Sequence, residues 1–184
     1  MRITFNSPVI LTFSIICACV YFLTGPMGIL SDSFTLLPEW NMSSPTWYFR
    51  LFSHTIGHAS TQHLMGNLAF ILLIGPIVEE KYGSKNLIIM MLSTALVTAL
   101  LHLLFYDHGL LGASGIVFML ILIVSLVNFR NKEIPLTFIL VVIIFIGKEV
   151  LSSFENDGVS HFAHIIGGIV GAAFGFALGG KAVK

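Results

Sequence analysis

Residues 161–178 read HFAHIIGGIVGAAFGFAL, and this stretch decides what kind of protein the chain is. It holds no Asp, Glu, Lys or Arg. As a helix it rises about 1.5 Å per residue and approaches the thickness of a membrane's hydrocarbon core. Gly167, Gly171 and Gly175 recur at four-residue steps, Gly179 continues the series, and Gly168 stands beside it. On a helix that spacing lays the glycines along one stripe, where a second helix can approach backbone to backbone. His164 lies near the start of the stretch. An ionisable side chain inside a span is costly enough to count as a functional candidate.

The rest of the chain has the same character. Its 184 residues are 56% hydrophobic and 10% charged, with a mean hydropathy of +0.95. A soluble domain averages about 45–50% apolar and about 25% charged. Too little charge remains to coat a surface in water, which excludes a soluble domain, a disordered chain and a coiled coil. Lys+Arg and Asp+Glu number 9 each, so there is no basic patch and nucleic acid is not a partner. Cys17 and Cys19 sit in an apolar run and read as small buried residues, not a disulfide framework.

Six apolar stretches are expected to span the bilayer as helices: 8–24, 61–78, 86–105, 114–129, 134–151 and 161–178. The first resembles a signal peptide, but no small-x-small cleavage site follows cleanly, so it reads as a retained anchor. Residues 29–50 hold Trp40, Trp47 and Tyr48, aromatics suited to an interfacial loop on the outer side. Arg2, Lys81, Lys85, Arg130, Lys132, Lys181 and Lys184 fall on the side of the two termini, against Arg50 and Lys148 on the other. The positive-inside rule therefore puts both termini in the cytoplasm. The expected fold is an all-α membrane protein, one domain over residues 1–184, built as a six-transmembrane-helix bundle.

Polar residues in or beside the spans are the functional candidates. His63 and Asn67 are four apart and share a helix face; such residues glue helices together or serve a site. His54 and His58 are also four apart, but no Glu stands between them, so the HExxH metalloprotease pattern is absent. Gly112-Ala113-Ser114-Gly115 opens the short fourth stretch. Alone, this motif fits helix packing as well as chemistry. Its place says more. Residues 114–129 reach about 24 Å, short of a hydrocarbon core of about 30 Å. Ser114 then lies below the outer surface, where irregular backbone must face protein or a water-filled cavity. A serine needs a base to become a nucleophile, and a neutral imidazole, here His164, is the usual one. The glycine stripe is expected to press the last span against the fourth and bring His164 toward Ser114.

Together these motifs resemble the rhomboid family of intramembrane serine proteases. The resemblance rests on GASG at 112–115, AHIIGGIVG at 163–171 and HTIGHASTQHLMGN at 54–67, with Phe49-Arg50 and Glu79-x3-Gly83-Ser84 in support. It covers about residues 47–179 and implies the six-span fold in its basic bacterial form. It implies hydrolysis of a peptide bond in transmembrane protein substrates within the lipid bilayer, with no metal and no cofactor. Ser114 would be the nucleophile and His164 the general base, a dyad without an acid. His63 and Asn67 would stabilise the oxyanion with the Ser114 backbone N–H. Arg50 would pin the first outer loop, and Gly112, Gly115, Gly167 and Gly171 would be structural.

Many bacterial members carry Tyr four residues after the Ser. Here Phe118 stands there and is expected to stack on His164 without the hydroxyl. Phe162 is bulkier than the residue expected before Ala163. The location implied is a bacterial plasma (inner) membrane. Two rivals remain: an inactive rhomboid-like protein that binds membrane clients, and a small metal transporter using His54, His58, His63 and His102.

Overall fold

The structure, a computed structural model, describes residues 3–25, 31–127, 133–153 and 160–178. Helix α1 is Pro8–Thr24, α2 Pro45–Ser53, α3 Thr61–Tyr82, α4 Ser84–Phe105, α5 Ser114–Ser125, α6 Leu136–Val141, α7 Gly147–Ser152 and α8 His161–Leu178. A π-turn, Val142–Ile146, joins α6 to α7. Among the described residues α3, α4 and α8 are long and apolar enough to cross a membrane, while α1 and α5 are shorter apolar helices. Leu73, Leu92, Phe105, Ile144 and Ile169 are exposed on the outside of the bundle, as expected where the solvent is lipid.

Buried polar groups fix the helix ends, and they explain where the helices depart from the expected bounds. The charged run after residue 78 does not end the second stretch, since α3 continues to Tyr82. The Glu79 carboxylate is buried with partners: Oε1 accepts from Val9 N at 3.0 Å and Ser84 Oγ at 2.7 Å, and Oε2 accepts from Ile10 N at 3.1 Å. It thereby satisfies amides that the first turn of α1 cannot satisfy itself, at the positive end of that helix. Gly83, with φ +79°, then turns the chain directly into α4, which starts at Ser84. Residues 45–50, expected within a loop, form the first part of α2, opened by Pro45 in its first turn. The fourth stretch is helical to Ser125. The fifth is a helix, a π-turn and a second helix rather than one regular span. Gly179, the fourth-to-fifth turn at 128–132 and the segment 154–159 lie outside the described residues.

The bundle is organised around α5. Every residue from Gly115 to Ile123 is buried, and a helix apolar on all sides belongs in the interior. Its most extensive packing is with α8, and glycines make it so. A Cβ on Gly167 would collide with the Gly115 carbonyl oxygen, and one on Gly171 with that of Met119. Gly175 faces Leu126, and Gly168 faces Ile146. The 12 residues of α5 rise only about 18 Å, against a bilayer core of about 30 Å.

Gly167→Ala and Gly171→Ala are therefore expected to destabilise the protein by about 1–3 kcal/mol or more, as overpacking against rigid backbone does. Gly66→Ala is the control, since a Cβ at this α3 glycine meets nothing within 4 Å. Thermal unfolding in detergent reads the difference. Equal melting of Gly167→Ala and wild type would mean that the backbones do not touch there.

Candidate active site

Ser114 is the first residue of α5, and no side chain caps that end of the helix. Its amides are thus left for another acceptor. Two residues earlier Gly112 has φ +127°, a region that favours glycine. Its N–H donates to the His54 carbonyl at 2.8 Å. A Cβ at Gly112 would also stand 2.6 Å from His63 Cε1. Glycine is required there for its backbone angle and for the imidazole packed against it.

Ser114, His164, His63, Asn67 and Phe118 line one cavity of about 490 Å³. They come from α5, α8 and α3. The Phe118 ring lies flat on the His164 imidazole, with centroids 4.5 Å apart and planes 6° from parallel. Asn67 is only 6% exposed, yet its Nδ2 has no hydrogen-bond partner. Buried donors are nearly always paired; among the buried side-chain atoms left unpaired, Nδ2 of Asn67 is the one whose residue lines this cavity. Among the described residues no hydrogen bond joins Ser114 to His164. Catalytic contacts in unliganded sites are often loose and tighten on substrate. The bond that His164 does make runs from Nδ1 to Glu149 Oε2 of α7, at 2.7 Å.

Outside the cavity, Arg50 donates from Nε to the Asp32 carbonyl at 2.9 Å and pairs through Nη1 with Glu39 at 3.3 Å. Ser53 Oγ donates to the Ser33 carbonyl at 2.7 Å. These bonds tie the loop ahead of α2 to that helix. Phe162 packs its ring against Phe105 and Tyr106, with centroids 5.8 and 5.2 Å away, so its bulk fills the space beyond the end of α4.

Glu149 and His161 were not among the expected site residues. His161 Nδ1 also bonds Glu149 Oε2, at 2.6 Å. The available signals were an acid inside an apolar stretch and a second histidine three residues before His164, on the same helix face. The His58 and His63 rings lie 5.1 Å apart, but among the described residues the four histidines of the transporter reading do not gather into one metal-holding group. Among the described residues the group able to hold a metal is Glu149, His161 and His164, and none of the four belongs to it. His102 is buried in α4, its Nε2 bonded to the His108 carbonyl at 2.9 Å.

A family model described as the rhomboid domain matches residues 45–181. The chain is also 26% identical over 172 residues to the rhomboid protease GlpG of Haemophilus influenzae, a match covering 90% of this chain and 88% of that one.

His54 and His58, in the segment joining α2 to α3, are both buried. Burial pushes each imidazole down from 6.5 to about 4. For His54 the Nδ1–H bond to the Arg50 carbonyl, at 3.0 Å, resists that fall in part. Both are then neutral in the folded protein at pH values where the unfolded chain binds protons. Stability should be fully present above about pH 6.5 and decline as pH falls toward 4, flattening below it. Melting temperatures from pH 7 to 4 should show this slope, shallower in a His54→Gln, His58→Gln double variant. An unchanged slope in that variant would assign the acid sensitivity elsewhere.

Proposed function

The chain belongs to the rhomboid family, and on that premise we propose that it is an intramembrane serine endopeptidase, with Ser114 as nucleophile and His164 as general base. The observation that carries this reading is the shared cavity: Ser114, His164, His63 and Asn67 converge on it from three helices. The protein is an integral membrane protein. We take its apolar stretches as six spans with both termini in the cytoplasm, in a bacterial plasma membrane.

The chemistry follows from the groups present. A transmembrane substrate, locally unwound, lays its scissile carbonyl carbon over Ser114. Oγ bonds to that carbon while its proton passes to Nε2 of His164. The carbonyl oxygen becomes an oxyanion in a place poor in water. The unpaired Nδ2 of Asn67, the imidazole of His63 and the first amides of α5 are the donors at hand to receive it, and donors gain most in such a place. The protonated His164 gives its proton to the leaving amine as the C–N bond breaks, leaving an acyl-enzyme. Water entering the cavity repeats the sequence and frees the second product. Phe118 keeps the plane of the imidazole fixed throughout. No step calls for a metal or a cofactor.

A fluorophosphonate probe tests this on the purified protein in detergent, beside cleavage of a reporter transmembrane substrate. Wild type should label and cleave. Ser114→Ala should do neither while melting as wild type does, and His164→Ala should do neither while staying folded, with a lower melting temperature because buried Glu149 loses one of its two partners. Cleavage by Ser114→Ala at the wild-type rate would refute the reading. A wild type that is folded yet inert in both assays would favour the client-binding alternative.

Asn67→Ala should lower kcat by about 10²–10³-fold, the usual loss of one oxyanion donor, with a smaller effect on KM. A change confined to KM would place Asn67 in substrate binding instead.

A further inference from the structure

The cluster at Glu149 goes beyond the dyad. Glu149 is 5% exposed, while its neighbours Lys148 and Val150 are exposed. A carboxylate buried in an apolar stretch is costly unless its lone pairs are met. Here one oxygen, Oε2, meets Nδ1 of His161 at 2.6 Å and Nδ1 of His164 at 2.7 Å. The π-turn at Val142–Ile146 lies just before it. Such a turn inserts one extra residue and swings all later positions about 100° round the helix axis. That swing helps bring Glu149 to α8.

We propose that Glu149 is a positioning residue for His164, holding its imidazole in the tautomer with the proton on Nδ1, so that the bare Nε2 is left for Ser114. The proposal rests on the serine-protease reading above. An ionised carboxylate only accepts hydrogen bonds, so both short contacts require protons on both Nδ1 atoms. In the other tautomer Nε2 carries the proton, and the ring cannot take one from Ser114. Phe118 fixes the plane of the His164 ring by stacking but offers no directional bond. Rotation within that plane is what the Glu149 contact restrains. His161 takes the same oxygen and holds the carboxylate in place from the preceding turn of α8. The site then works as a serine, histidine and glutamate set. The glutamate keeps its charge and steadies the imidazolium when His164 takes the proton.

Two measurements on the full chain test this. The first is the labelling rate with a fluorophosphonate probe from pH 5 to 9. The titratable groups on the described elements around His164 are Glu149 of α7, His161 of α8, His63 of α3, and His108, which lines the same cavity. Removing the carboxylate charge leaves the imidazolium less stabilised, so the acid limb of the profile should move to lower pH in Glu149→Gln. The rate at neutral pH should drop about 10²–10⁴-fold, the range for a misoriented or wrong-tautomer base. Glu149→Asp should recover much of the rate and the wild-type midpoint. Equal losses in both variants with an unmoved midpoint would make Glu149 merely structural, and unchanged rates would also overturn the proposal. In both cases Ser114-dependent labelling of wild type would leave the protease reading standing, whereas an unlabelled wild type removes both.

The second measurement needs no variant: ¹⁵N spectra of histidine-labelled wild type. His164 should be neutral, protonated on Nδ1 and bare on Nε2. A proton on Nε2 overturns the proposal. So does stoichiometric zinc in the purified protein that is lost in Glu149→Gln, because a metal would occupy the Nδ1 lone pairs.

Discussion

The contact on which the structure depends is the touch of two backbones, α5 against α8, at Gly115–Gly167 and Met119–Gly171. In lipid there is no hydrophobic gain from pressing helices together, so association rests on packing and on hydrogen bonds. Large side chains between the helices would hold them apart. Glycine removes that spacer. The position of the contact matters as much as its closeness: Gly115 follows Ser114 directly, and Gly167 lies three residues after His164. The tightest point of the bundle is therefore within one turn of both members of the proposed dyad. The spacing of nucleophile and base is set by backbone atoms rather than by adjustable side chains.

Around that contact, the buried polar groups sort themselves by whether the fold satisfies them. Glu79 is bonded by two α1 amides and the Ser84 hydroxyl, Glu149 by two imidazoles at one oxygen, and His54 is bonded to a carbonyl. These groups define helix ends and ring orientations. Asn67 shares with Ser14, His58, Tyr82, Thr98 and His102 a buried polar atom without a partner, and differs from them in lining the cavity of Ser114 and His164. A donor that folding leaves unpaired is stabilised only when something arrives with an acceptor. What marks a residue as serving a reaction is therefore its place at the cavity together with the unpaired donor, not the unpaired donor alone.

Much of this was legible in the sequence, and the reasons are local. The glycine steps, the short stretch opening at Ser114 and the four-residue spacing of His63 and Asn67 all follow from helical periodicity. Periodicity survives whatever else the chain does. What was not legible depended on partners far away in sequence. Helix α3 runs on past the expected end of the second span at residue 78, to Tyr82, and the reason, the bond of Glu79 to Val9 70 residues away, is not visible in the local sequence. Glu149 carries no signal of its facing in the sequence, because that facing depends on a π-turn, which leaves no mark in an apolar run. The link to His161 needed the same register. Phe162 looked out of place only because the aromatic pair at the end of α4 that receives it, Phe105 and Tyr106, is not its sequence neighbour.

The shortness of α5 draws the remaining features together. A helix N-terminus carries unpaired amides and a partial positive charge. In a span of full length that end would sit at the membrane surface, where water pairs the amides and screens the charge. A helix of 12 residues cannot reach both faces of the bilayer, so on the proposed orientation its N-terminus is held inside the membrane, at the cavity. There the local dielectric is low and the same donors act more strongly on a developing negative charge. The cavity is then needed twice, to keep those amides from being stranded in hydrocarbon and to admit the water that ends the reaction. Length, helix polarity and cavity are one device, and Ser114 stands where all of them meet.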